Sequence, residues 1–535
     1  MPSVLIFQGS LRLAWSPSSA STGAAPTGPS PRHDTHMGRT PLDTSSAPTV
    51  QPAPGLRVHP DHGNLIQLLD QAPLRLPHYL AWLLSSGGIL LDGLSVFMLG
   101  IAIPLLRQDM ELTAWQLAFL GGGLIAGAVI GAGSGGRLAD RIGRKPVFLL
   151  DMALLFAAAV AAVLAWNPGL LILAQTLVGV AVGMDFPVSS SYVAEIMPQR
   201  ARGRILVATI AAQSVGMILA AFLALGLLHL HASPDAWRLF FATEALLAAF
   251  FLVARLQLSE SPRWLMSQGR NREAVHAVSR ILPEDRRMLE AMASRLADTR
   301  FHVARISFDA KRPPFMSLFV KAYRRRTLLS TVPWFLMDMA TYGIGMYSAV
   351  ILAAVRLGGR TGDPSARIRT LTLGNGFIDL FLFLGFLLGI WAVVRFGRIR
   401  MQLTGFAGMT LGMSVLLLAD VLPTDPDAHS VLIFTGFVIF NLFMNMGPNS
   451  TTYVLPAELF PTQLRATGSG FSAAVAKVGA ALGVFLLPLV QARVGVNGVL
   501  VLMIGVSLLG LLSTWAFRVD DREKTLEAHQ ARDLP

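Results

Sequence analysis

The sequence predicts an all-α membrane protein of twelve transmembrane helices, arranged as two six-helix halves. Three observations predict it. The chain of 535 residues is 53% hydrophobic and only 14% charged, where a soluble domain carries about 25% charged residues, and its mean hydropathy is +0.55. Apolar runs of about 20 residues, each enough to cross the hydrocarbon core, recur twelve times. Two short charged motifs also recur at matching places in the first six runs and the last six.

In chain order, residues 1–75 are rich in Ser, Thr, Pro, Gly and Ala and read as a disordered tail. Its start, MPSVLIFQGSLRLAW, lacks the basic opening and long apolar core of a signal peptide. Two readings of the tail stand open, a functional extension and a true start at Met37. The spans follow at 79–105, 114–134, 147–166, 169–192, 204–230 and 237–256, then at 328–355, 371–394, 401–421, 430–452, 467–490 and 495–517. The N-terminal half is thus 76–257 and the C-terminal half 328–517. A polar, Arg-rich linker, 258–327, joins them, and a short tail, 518–535, ends the chain.

An even number of spans puts both termini on one side. The basic loops 136–146, 198–204, 258–327 and 395–400 share that side, which the positive-inside rule makes cytoplasmic. Arg356, Arg360, Arg367 and Arg369 break the rule on the opposite side, and nothing in the sequence accounts for them. The net charge of +12 therefore reads as topology and not as nucleic-acid binding. Only five lysines occur, at 145, 311, 321, 477 and 524, and with the abundant Ala and Gly this suggests a GC-rich bacterial genome and an inner-membrane location. There are no cysteines, hence no disulfide and no Cys metal site.

The halves echo each other. Ala194-Glu195-Ile196-Met197-Pro198 with Arg202 ends span four, and Ala457-Glu458-Leu459-Phe460-Pro461 with Arg465 ends span ten. Arg141-Ile142-Gly143-Arg144 after span two matches Arg395-Phe396-Gly397-Arg398 after span eight. Such a duplication indicates halves that rock about a central site. In GRLADRIGRK, 136–145, Gly136 and Gly143 permit a tight turn. Asp140 is placed to meet a helix end and Arg partners. With Glu260 and Arg263 of the linker, these charges form a latch able to hold helices in one state and release them in another.

Among the ionisable residues inside the spans, Asp92, Asp185, Asp338 and Lys477 stand out, with Glu244 and Asp379 as weaker candidates. A charge near the bilayer centre costs about 3 kcal/mol or more on insertion scales and marks substrate or ion paths. In WFLMDMATY, Trp334, Asp338 and Tyr342 stand at i, i+4 and i+8, so a helix stacks them on one face. Lys477 supplies a cation and three donors, and Asp338 a titratable acceptor. Such a pair suits a small, partly protonated oxyanion. The glycines of span two read as close-packing surfaces, GGG at 121–123 lacks the context of a phosphate loop, and no nucleophile–base or metal constellation is present, so an enzyme is not expected.

GRLADRIGRK resembles the signature loop of the major facilitator superfamily, and Ser259-Glu260-Ser261-Pro262-Arg263-Trp264-Leu265 resembles the P-E-S-P-R-x-L motif of its sugar-porter branch. GMDFPVSSSYVAE in span four, ATIAAQSVG in span five, WFLMDMATY in span seven and NMGPNSTTYVLPAELFPTQLRATGSGFSAAVAKVGA in spans ten and eleven resemble the proton-coupled phosphate symporters. That resemblance implies a substrate pocket of Phe186, Gln213, Trp334, Asp338, Tyr342 and Lys477, joined by Asn449. It also implies a proton path through Asp92 and Asp185, the proton gradient as energy source in place of any cofactor, and a monomer. Phe186 stands where the family has Tyr, Ser95 where it has a second acid, Gln175 where it has Arg, Ala181 where it has Gly, and Val394 where it has Asp. These departures keep a sugar or organic-acid (including aromatic) symporter open beside phosphate. A solute-sensing membrane receptor is the reading from another class, and proton-antiport drug efflux fits the motifs least.

Overall fold

The computed structural model describes residues 60–231, 233–283, 287–289, 314–345, 364–422 and 426–519, and the regular structure among them is all helical. The N-terminal half contains α2 (Leu76–Asp109), α3 (Ala114–Ile142), α4 (Arg144–Val163), α5 (Pro168–Ile196), α6 (Gln199–Leu230) and α7 (Trp237–Arg255). Local chemistry sets several of their ends. Thr113 and Gln116 form a capping box at the start of α3. The Asn167 side chain accepts the Leu170 amide at 2.9 Å, and Pro168 occupies the first turn of α5. Gly143, with φ +108°, separates α3 from α4, and a Cβ there would strike the Glu260 carboxylate. Both facts select glycine.

The C-terminal half contains α10 (Lys321–Gly345), α11 (Pro364–Phe396) and α12 (Arg398–Val421). Span ten is α13 (Pro426–Met444), a π turn (Asn445–Asn449) and α14 (Ser450–Leu459). Spans eleven and twelve form one long helix, α15 (Arg465–Phe517), broken at Gly495 with φ +72°. Among the described residues, ten helices are long and apolar enough to cross a membrane. α10 and α11 bring the spans to twelve. α10 opens with Lys321, Arg324, Arg325 and Arg326, so its apolar stretch begins one to two turns after its helical start. Large apolar side chains such as Trp115, Phe119, Leu246, Trp391 and Val421 are exposed on the outer surface. In water that would be a liability; in lipid it is the expected face.

The sequence boundaries need correction in two places. Residues 60–71, assigned above to the tail, form α1 (Pro60–Gln71), whose Leu65, Leu69 and Asp70 are buried. The linker contains α8 (Pro262–Ser267) and α9 (Asn271–Ile281), and its last residues belong to α10. α9 is amphipathic and buries Ala274, Val275, Val278 and Ile281. Short local periodicity beside long apolar runs hides such helices. Residues 1–59, the middle of the linker, the end of span seven with Arg356 and Arg360, and the tail from 520 lie outside the described residues.

Packing follows the small residues. α3 lies against α5 because Gly127 and Gly131 approach the carbonyls of Thr176 and Val180, while Gly179 and Gly183 approach those of Leu124 and Ala128. Any Cβ at these sites would meet backbone. This is how apolar helices associate where no hydrophobic difference between helix and lipid drives them together. The halves meet where α3 and α5 pack on the first arm of α15, and α6 on α11.

Candidate functional site

Between the halves, four predicted residues converge. Trp334, Asp338 and Tyr342 share one face of α10, and Lys477 faces them from α15. The Lys477 Nζ donates to the Tyr342 hydroxyl at 2.9 Å and lies 3.6 Å from Asp338 Oδ2. Phe186 reaches over from α5, with its ring 5.0 Å from Lys477 Nζ. Phe186 also lies 6.4 Å from Trp334 and 6.1 Å from Tyr453, centroid to centroid. The result is a cation set among aromatic faces and one carboxylate, all but Tyr342 nearly fully buried. Such an arrangement can hold a small anion by charge and O–H donation. Asn449 lies in the π turn and donates to Asn445 Oδ1 at 2.8 Å, in a row with Asn441 and Asn445.

Three of the acids singled out from the sequence are buried in the N-terminal half: Asp92, Asp185 and Glu244. Asp92 accepts from Gln213 Nε2, which ties two predicted residues directly to each other, and it lies within electrostatic reach of Lys477 and Asp338. Asp185 is turned instead toward Arg255, whose Nη2 donates at 2.7 Å, and toward Ser189 Oγ at 2.6 Å. Glu244 sits in the middle of α7, fully buried, and accepts from Ser95 Oγ. Ser95 thus touches an acid although it replaces one. The Asp379 side chain lies outside the described residues.

The predicted latch assembles at the ends of α3, α5 and α15. Arg144 donates to Asp140 Oδ1 at 3.0 Å, Glu195 Oε1 at 2.8 Å and the Thr462 carbonyl at 3.0 Å. Glu195 also accepts from Arg465 Nη1 at 2.8 Å and from Ser261. Asp140 caps the first turn of α15, accepting the Thr467 amide at 2.7 Å and the Ala466 amide at 3.3 Å. A carboxylate on a helix N-terminus is favourable by both hydrogen bonding and dipole. Here the acid and the helix belong to different halves. Glu260 caps the start of α4, accepting the amides of Arg144 at 2.9 Å and Lys145 at 3.2 Å. Burial nevertheless pushes its carboxyl above the usual glutamate range. Gly136 touches the Ala466 carbonyl across the halves. Arg398 pairs with Glu458 at 2.6 and 2.8 Å within the C-terminal half. Arg202 and Arg263 both grip Asp70 of α1, the latter at 2.7 Å. Burial, then the neighbouring Arg202, lowers Arg263 to about 10. Arg141 is exposed and takes no part in this network.

Residues 104–532 match the family described as "Sugar (and other) transporter". The chain belongs to that family. It is a multi-pass membrane transporter of the major facilitator type, and not an enzyme. The transporter is 29% identical over 469 residues to the inner membrane metabolite transport protein YgcS of Escherichia coli K12, covering 86% of this chain and 95% of that one. It is 27% identical over 505 residues to inorganic phosphate transporter 1-1 of rice, covering 84% and 93%. Its fold matches a structure of the proton:xylose symporter XylE bound to 6-bromo-6-deoxy-D-glucose, with TM-score 0.69 and 20% identity over 85% of this chain and 98% of that one.

Several residues of the transporter's polar interior escaped the sequence reading. Arg255 closes span six, where a boundary charge is ordinary, and Asp70 lies in the stretch read as a tail. Asp151 is the second buried acid on Arg255, at 3.0 Å, and is the sole acid in span three. That last fact was the available signal. Tyr453 carried none, because a Tyr in an apolar run is ordinary core.

Proposed function

We propose that this transporter is a proton-coupled symporter of a small oxyanion, with inorganic phosphate the first candidate, working by alternating access. The observation that carries the reading is the Lys477 ammonium held beside the Tyr342 hydroxyl and the Asp338 carboxylate in the cleft between the halves. A substrate anion would displace the Asp338 interaction and take over the cation. A proton delivered to Asp338 would do the same in reverse, so anion and proton favour each other's binding. Asp92, through Gln213, is the group on the N-terminal half placed to receive that proton, and Asp185 continues the path. The resemblance to phosphate transporters supports the choice of substrate. The proton gradient supplies the energy and no cofactor is needed. The transporter works as a monomer in a bacterial inner membrane with both termini cytoplasmic.

A second reading, a sugar or organic-acid symporter, draws on one specific observation. Phe186, Trp334 and Tyr453 form an aromatic wall, and Phe186 offers no donor to an anion. Uptake of labelled phosphate into liposomes under an inward proton gradient tests the choice, with a protonophore control and with sugars and organic acids as competitors. Saturable, protonophore-sensitive uptake that organic solutes do not displace supports phosphate; absence of uptake by correctly inserted protein sinks it. Asp338→Asn and Lys477→Ala are each expected to reduce uptake at least tenfold while insertion persists, and normal uptake by either overturns the pocket assignment. Solute binding without any transport would favour a receptor.

A further inference from the structure

Arg255, at the end of α7, makes five hydrogen bonds and thereby uses every N–H it has. Nε donates to the Leu84 carbonyl at 3.0 Å. Nη1 donates to the Phe148 carbonyl at 3.3 Å and Asp151 Oδ1 at 3.0 Å. Nη2 donates to the Ser85 carbonyl at 3.1 Å and Asp185 Oδ1 at 2.7 Å. Its guanidinium also lies 4.4 Å from the Phe148 ring centroid. Arg255, Asp151 and Asp185 are all 0% exposed.

The charges do not balance. One guanidinium faces two carboxylates, and no donor of Arg255 remains to offset the second. Asp185 Oδ2 is matched with Ser189 Oγ at 2.6 Å, but Asp151 Oδ2 accepts no hydrogen bond among the described residues. The two carboxyl groups converge on the neighbouring Nη1 and Nη2 of one guanidinium. An uncompensated buried carboxylate is neutralised by a proton before it is tolerated as a charge, and two carboxylates crowded into one site share one.

We propose that Asp151, Asp185 and Arg255 form a proton-binding site that holds one proton between the two aspartates. The proton has two seats. On Asp151 Oδ2 it is donated to Asp185. On Asp185 Oδ2 it is donated to Ser189 Oγ, whose own hydrogen goes to the Ser85 carbonyl, 2.8 Å away. The site binds α2, α4, α5 and α7 together. Asp92, the remaining charged group facing it from α2, lies one helical turn beyond Gly88, which packs on Asp185. A proton leaving the pocket by Asp92 would therefore find an acceptor already set up for exchange. This last consequence deepens the symport reading and rests on it; the bound proton does not.

The test is substrate-free and so separate from any uptake result. Infrared spectra of the purified full-length protein in lipid nanodiscs at neutral pH are compared with those of Asp151→Asn and Asp185→Asn. Each variant leaves one aspartate alone with Arg255, which ionises it. The expected result is that either variant loses the carbonyl-stretch intensity of one protonated aspartic acid. Intensity unchanged in both, or lost in only one, overturns the shared site. Should an asparagine variant fail to insert, Asp151→Glu and Asp185→Glu keep the carboxyl and are expected to shift that band; an unmoved band again overturns the proposal.

Discussion

The two halves carry the same pair of charged motifs, and the structure uses them differently. In the N-terminal copy, Arg144 and Glu195 are fully buried and joined to Asp140 and to Arg465 of the other half. In the C-terminal copy, Arg398 and Glu458 pair with each other at side-chain exposures of 28% and 16%. The first copy's buried pair is hydrogen-bonded to a residue of the other half; the second copy's pair lies within one half, with the Arg398 guanidinium packed against Gly203 of the other. One substitution and one redirected arginine account for the difference. Val394 stands at the position of Asp140, so the second copy has no acid to cap a helix across the interface. Arg202, the counterpart of Arg465, does not extend to the other half, because Asp70 of α1 binds it together with Arg263. A duplicated motif therefore marks where a contact can form. Its neighbours decide whether the contact crosses between halves.

That contrast can be broken most directly at the arginines. Arg144→Ala leaves Glu195 and Asp140 short of a buried partner, and breaking such a pair costs about 3–5 kcal/mol. A large fall in melting temperature in detergent is expected, with loss of uptake. Arg398→Ala removes a partly exposed pair, for which about 1 kcal/mol or less is the usual scale. Equal losses in the two variants would show that the copies are energetically alike after all. Asp70→Asn comes next. It strips the charge from an acceptor serving two arginines, and charge-assisted hydrogen bonds contribute about 1.5–3 kcal/mol. Thermal unfolding should fall between the first two variants. An unchanged melting temperature would mean that α1 is not part of the latch.

The smallest effect concerns pH. Glu260 has its folded carboxyl raised above the usual glutamate range by burial, so the folded state binds the proton more tightly than the unfolded state. Its contribution to stability is fully present below the model-compound value of 4.5 and is lost as pH rises through the folded value. The stability difference between the native protein and Glu260→Gln should therefore favour the native protein most at low pH and shrink as pH rises above 4.5. A difference independent of pH would show that Glu260 keeps one protonation state throughout.

Much of the architecture was legible without coordinates because lipid imposes simple rules. A span must be apolar for about 20 residues, loops must carry the topology charges, and a rare intramembrane charge stands out. Asp338 and Lys477 were visible as opposite charges in apolar runs, and the i, i+4, i+8 spacing placed Trp334, Asp338 and Tyr342 on one face. Other contacts were not legible. α1 and α9 are short amphipathic helices whose buried faces exist only once the bundle is there to cover them. That Asp140 caps α15, that Arg255 serves two aspartates and that Phe186 meets Trp334 and Tyr453 are facts about segments tens to hundreds of residues apart. Sequence alone determined the spans, the duplication and several of the charges that must be neutralised, because desolvation acts on each residue wherever it ends up. The tertiary structure alone decided which charge neutralises which, because hydrogen bonds and ion pairs depend on distances of about 3 Å that only packing sets.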